Sequence, residues 1–202
     1  MTALDSSRRQ PLATSAVLVA GLAAAIALRL VIGGVAVRDS AAAGLAFAAA
    51  LVALTICAGR SRAATSRSKA APARQAIVAG LCGAAVLCLP VVTRIGGIGH
   101  HRPAGNYAAW SLVVTVVAIS EEALLRGALY RQVELAAGSV VAIIATSVCF
   151  AALHVPIYGW NAGGLDLAVG LWLGTLRDVT GSWHAPAVAH VVAGTSLIIC
   201  SE

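Results

Sequence analysis

Charge is what this sequence has least of. Only 11% of its 202 residues are Asp, Glu, Lys or Arg, where an ordinary soluble domain carries about a quarter. Hydrophobic residues make up 59% of the chain and the mean hydropathy is +0.89. So few charges cannot cover such an interior, which excludes a water-soluble globule. Disorder, coiled coil and a disulfide scaffold are excluded by the same composition. A P-loop, zinc-finger ligand spacing and an aromatic–basic stripe are also missing, so the net charge of +6 does not point to nucleic acid. The cations sit between apolar runs, where topology control and anionic lipid account for them. No CxxC pair occurs. Cys57, Cys82, Cys88, Cys149 and Cys200 lie in apolar stretches and read as small buried hydrophobes rather than disulfides or metal ligands.

What the chain does have is long apolar runs. At about 20 residues per crossing, its length allows at most about seven or eight helical spans. A polar tail, 1–11, ends in Arg8 and Arg9 and precedes a run over 12–37 that is too long for a cleaved signal peptide. That run reads as a retained anchor with Arg29 as its one internal charge. Further spans are expected at about 40–59, 75–99, 106–137, 138–156, 163–179 and 183–200. Residues 60–74, RSRAATSRSKAAPAR, form a basic loop; Pro90 and the glycines 96, 97 and 99 break the end of the third span, and residues 100–103 form the next turn. Gly170 and Gly174 make a GxxxG suited to close helix packing in lipid. The expectation is an all-α, polytopic membrane helix bundle of about seven transmembrane helices.

Seven spans with the N-terminus inside place Arg8, Arg9, Arg60, Arg62, Arg67, Lys69, Arg74, Arg126, Arg131 and Arg177 at the inner face. Only Arg38, Arg94 and Arg102 fall at or near the outer one, so the positive-inside rule favours that orientation. Alanine richness and the excess of Arg over Lys point to a bacterial cell membrane.

Three features put ionisable groups at membrane depth, where a charge costs at least ~2.5–3.5 kcal/mol and marks function by default. The first is SEEALLR, Ser120 to Arg126, which follows an apolar run without a break. Glu122 and Arg126 stand i,i+4 on one helix face with the acid first. Glu121 lies about 100° round the helix and lacks that partner. The second is FAALH, ending in His154; the third is HAPAVAH, with His190 well inside the last helix. His184, beside Trp183, reads as an interface residue. For each feature a bland explanation competes: surface charges where a helix reaches the interface, or packed histidines.

Spacing argues for convergence. Glu121 and His154 lie 17 and 16 residues from a turn at Gly138 (138 − 121 and 154 − 138). In antiparallel helices both would sit about 25 Å from that turn. His190 lies only about 14 Å from its own turn at Gly181, so it matches if the hairpin around Gly138 projects beyond the bilayer. One carboxylate and two imidazoles can then activate water, stabilise an oxyanion or hold a metal.

EExxxR, then FxxxH, then a His within a GSxW-A-P-xxAH run resembles the CPBP family, the CAAX prenyl protease 2 (Rce1-like) and bacteriocin-processing (Abi) intramembrane proteases. The residues carrying the resemblance are Glu121, Glu122, Arg126, Phe150, His154 and Gly181 to His190, within about residues 107–200. It implies a catalytic transmembrane domain over 107–202, behind N-terminal transmembrane helices over 12–106. It also implies an intramembrane endopeptidase acting on a peptide or lipid-anchored protein substrate. Glu121 would activate water, Glu122 with Arg126 would hold the helix, and His154 and His190 would bind or polarise the scissile carbonyl. The family has been described both as metal-independent glutamate proteases and as metalloproteases. No cofactor is required by the first, and zinc on Glu121, His154 and His190 is the form of the second, although HExxH is absent.

One position departs from the pattern. Where the family has Asn or Asp four residues after the last His, this chain has Gly194. Thr195 and Ser196 lie off the i+4 face and do not replace it cleanly. A missing oxyanion donor can cost about 10²–10³ in rate. Gly194 therefore supports a second class of function, a catalytically impaired relative acting as a membrane immunity or binding scaffold. A small proton- or metal-coupled transporter is a third, but it predicts an internal repeat that the chain lacks.

Overall fold

The computed structural model describes residues 3–60, 71–92 and 106–199. Among these residues there are seven long helices and no strand. They are α1 (Ala3–Gly33), α2 (Ala41–Arg60), α3 (Ala73–Val92), α4 (Tyr107–Ala137), α5 (Ser139–Tyr158), α6 (Trp160–Thr180) and α7 (His184–Ile199). Most of the expected basic loop, and the expected turn at 100–103, lie outside the described residues. Helix α1 begins at Ala3, inside the stretch expected to be a tail, and a short 3-10 turn, Gly34–Ala36, follows it.

The molecule is a helical membrane bundle, and its burial pattern is inside-out. Val31, Val140 and Leu112 are 81%, 67% and 65% exposed, whereas Glu122 and Arg126 are completely buried. Apolar surface outside and charge inside is the arrangement a bilayer imposes. Helices α1, α2, α4 and α5 are each long and apolar enough to cross a membrane by themselves. Helix α6 has the length but carries Asp166, Arg177 and Asp178, and α7 has only 16 residues.

Small residues let these helices approach closely, as association in lipid requires. A Cβ at Gly170 would come within 3.0 Å of the Ser147 backbone, and one at Gly174 within 3.1 Å of Ile143. The GxxxG of α6 is thus its seam with α5. Gly80 does the same between α3 and α7, where a Cβ would meet the Ala185 carbonyl at 2.6 Å. Single glycines at positive φ, Gly138 and Gly159 (both +88°), join α4 to α5 and α5 to α6. Other residues rarely adopt that backbone, so one-residue connections are available here to glycine. They fold α4, α5 and α6 into consecutive antiparallel hairpins.

Two cations counted above at the inner face are inside the protein instead. Arg126 is fully buried and Arg177 is 7% exposed. Burial among polar partners, described below, removes them from the tally of loop charges and leaves eight against three (10 − 2).

Candidate active site

Helix α4 begins where Asn106 accepts the Ala108 N–H, an N-cap that satisfies a terminal donor. It runs as α-helix to Glu122, widens into a π-helical segment over Ala123–Leu129, and resumes as α-helix over Tyr130–Ala137. Such segments recur at functional sites because they re-aim the side chains beside them. Here the widening begins directly after Glu121 and Glu122. The i,i+4 pair expected from the sequence survives it: Arg126 Nη1 donates to Glu122 Oε1 at 2.9 Å, with both side chains fully buried. Arg126 Nη2 donates to the Gly170 carbonyl of α6 at 3.1 Å, and its guanidinium lies 4.8 Å over the Phe150 ring.

The same Glu122 oxygen reaches the last helix. His190 Nδ1 is 3.0 Å from Glu122 Oε1, and His190 Nε2 is 3.9 Å from Glu121 Oε2. A carboxylate accepts, so Nδ1 carries the proton and Nε2 faces Glu121. Glu121 is 2% exposed and forms no hydrogen bond among the described residues. It is the carboxylate left available for chemistry.

His154 sits on α5 with Nδ1 2.9 Å from the Phe150 carbonyl. A carbonyl also only accepts, so Nε2 of His154 is the nitrogen free to face a ligand. Phe150 packs between the groups: its ring centroid lies 4.5 Å from that of His154 and 5.3 Å from that of His190. His154 in turn stacks on Tyr158 at 5.6 Å, and Arg38 covers Tyr158 while donating to the Ile157 carbonyl at 2.7 Å. A ladder of rings and cations therefore runs from Arg126 to the exposed end of α5.

Glu121, Glu122, Arg126, Phe150, His154 and His190 all belong to one cluster. His184 does not. It stacks on Trp183 and pairs with the Ser182 hydroxyl. Spacing did not reveal the Glu122–His190 bond, the Gly170 carbonyl or the role of Arg177. Arg177 donates from Nε to the Arg126 carbonyl at 3.0 Å and lies 4.8 Å over Tyr130, whose hydroxyl donates to Asp178 at 2.8 Å. Its one signal in the sequence is a cation beside Asp178 near the end of a mostly apolar helix.

The departure at Gly194 is structural too. A Cβ there would come within 3.1 Å of a methyl group of Val114. Thr195 and Ser196 donate to the carbonyls of Val191 and Val192 at 2.8 and 2.7 Å, so their hydroxyls are spent on their own helix. Among the described residues, no three His, Cys, Asp or Glu side chains draw together as metal ligands.

Carboxylates and imidazoles converge here inside a membrane bundle, where buried ionisable groups mark function by default. Residues 103–195 match the family described as type II CAAX prenyl endopeptidase Rce1-like. That family is a peptidase family. No curated protein matches the chain, and no solved structure does.

Proposed function

We propose that this protein is an intramembrane endopeptidase that hydrolyses a peptide bond of a membrane-associated or lipid-tethered substrate. The observation that carries the reading is Glu121 standing unbonded beside His190 Nε2, in a domain that matches a peptidase family. Glu121 takes a proton from water as the new O–C bond forms at the scissile carbonyl. His154 Nε2, its other nitrogen tied to Phe150, accepts from the same water and aims it. His190, held through Nδ1 by Glu122 with Nε2 beside Glu121, donates from Nε2 in its doubly protonated form to the developing oxyanion. When the carbonyl re-forms, the C–N bond breaks and the amine leaves with the proton held by Glu121. Glu122, Arg126 and the Gly170 carbonyl fix these groups without touching the substrate.

The test is peptide cleavage by purified protein in detergent, wild type beside Glu121→Ala. Cleavage by wild type and none by the variant is expected; equal rates would overturn the reading. The Val114 methyl group beside Gly194, where the family has a donor, favours the second reading, a scaffold that binds but does not cut. Binding of peptides without cleavage by wild type would establish that one.

A further inference from the structure

Helix α1 lies outside the stretch that matches the family, yet it carries a charge into the bundle. Leu18, Leu22, Ala25 and Arg29 follow one another at spacings of four, three and four and are all buried, so they form one stripe on the inner face of α1. Arg29 continues that stripe with a guanidinium. It is 8% exposed, lies 5.2 Å over the Phe47 ring, and its buried Nε has no acceptor among the described residues. No ion pair among the described residues holds it. It does lie within electrostatic range of Glu121, His154 and Tyr158.

A guanidinium offers five donors in a fixed fork and remains charged at any working pH. Holding one at membrane depth without a counterion within bonding distance is unfavourable unless a negative charge arrives there at some stage. Peptide hydrolysis supplies such a charge on the carbonyl oxygen, and a preorganised donor aimed at it is worth a large factor in rate. In this chain the family's donor position is Gly194, and the neighbouring hydroxyls are occupied by their own helix.

We propose that Arg29 is a catalytic residue of this protein, the cation that stabilises the tetrahedral oxyanion in place of the amide missing at Gly194. The inference rests on the peptidase reading above. Water attacks, its proton passes to Glu121, and the carbonyl π pair moves onto oxygen, where Arg29 and His190 donate. The pair returns as the C–N bond breaks, and Arg29 gains and loses no proton. The N-terminal helices thus contribute to the reacting centre rather than anchoring the domain alone.

The experiment uses the full chain in detergent and two probes: an end-capped Ala/Leu hexapeptide, and the same peptide with a central phosphonamidate, an anionic tetrahedral phosphorus, replacing one amide. Wild type should bind the phosphonamidate at least ~10² more tightly than the amide, as a transition-state mimic is bound. Arg29→Met should lose about 10–100-fold of that preference with amide affinity unchanged, and Arg29→Lys should keep part of it. Thermal stability should not fall in Arg29→Met, because an unpaired buried charge has been removed. A wild-type preference that persists undiminished in Arg29→Met would overturn the role of Arg29 and leave the peptidase reading intact. The absence of any preference in wild type would overturn both.

Discussion

Glu122 and His190 are separated by 68 positions in the sequence and joined by a 3.0 Å hydrogen bond in the fold. The same Glu122 oxygen accepts from Arg126 at 2.9 Å, so one carboxylate ties α4 to itself and to α7. It holds the imidazole by one nitrogen and turns the other toward Glu121. The two adjacent glutamates therefore differ: Glu122 is fixed by two partners, and Glu121 forms no hydrogen bond among the described residues.

Removing either Glu122 or Arg126 strands a charge in a buried site, at a cost of about 3–5 kcal/mol. Glu122→Gln and Arg126→Met should each lower the melting temperature, and the double variant should lose less than the sum of the two. Activity should separate them: Glu122→Gln also weakens the grip on His190, so it should fall further in kcat than in stability. Strict additivity of melting free energies would tell against the pair.

Glu121 makes no structural bond, so Glu121→Gln should fold and melt like wild type. General-base catalysis contributes at least about 10², and peptide cleavage should drop by that factor or more. Retention of more than about a tenth of wild-type activity would remove Glu121 from the role of base.

Gly170 serves twice, as the close seam between α6 and α5 and as the carbonyl that receives Arg126. The Cβ of Gly170→Ala would press on the Ser147 backbone at 3.0 Å and displace that carbonyl. Overpacking of this kind costs about 1–3 kcal/mol. Gly164 lies on the same helix with nothing within 4 Å of its would-be Cβ. Gly164→Ala should be neutral or mildly stabilising. Equal effects from the two, measured by thermal melts in detergent, would show that α6 is not seated through Gly170.

Much of this architecture is legible in the sequence because its boundaries carry chemical marks. Asn106 caps α4, and Gly138, Gly159 and Gly181 end α4, α5 and α6 at positive φ. Expected spans at 106–137 and 138–156 fall within two residues of Tyr107–Ala137 and Ser139–Tyr158. The i,i+4 pair of Glu122 and Arg126 is likewise local and visible. What periodicity does not carry is contact across helices. The π-helical segment follows ordinary helix formers, ALLRGAL, and nothing in them announces it. The bond of Glu122 to His190 depends on how deep α7 sits, which its distance from Gly181 left ambiguous. Arg177 looked like an interfacial cation because its acceptor is a backbone carbonyl 51 residues away.

Gly194 stands where the resemblance leads one to expect Asn or Asp, and the structure changes what placing an amide there requires. An amide there would supply the oxyanion with a second donor, and a glycine exchanged inside a helix should by itself favour the helix. The site is not an open void, however: the first carbon of any side chain meets Val114 at 3.1 Å. Gly194→Asn alone should therefore be destabilised by about 1–3 kcal/mol of overpacking. Val114→Ala removes the opposing methyl groups, so the double variant Gly194→Asn with Val114→Ala should regain stability over Gly194→Asn. It should also turn over peptide faster than the Val114→Ala control, up to the about 10² that one oxyanion donor contributes. The similarly sized Gly194→Leu with Val114→Ala should fold but gain nothing in rate. If the Asn double variant is stable and no faster than its control, a missing amide is not what limits this protein. A gain that survives only while Arg29 is present would mean the two donors act on the same oxygen.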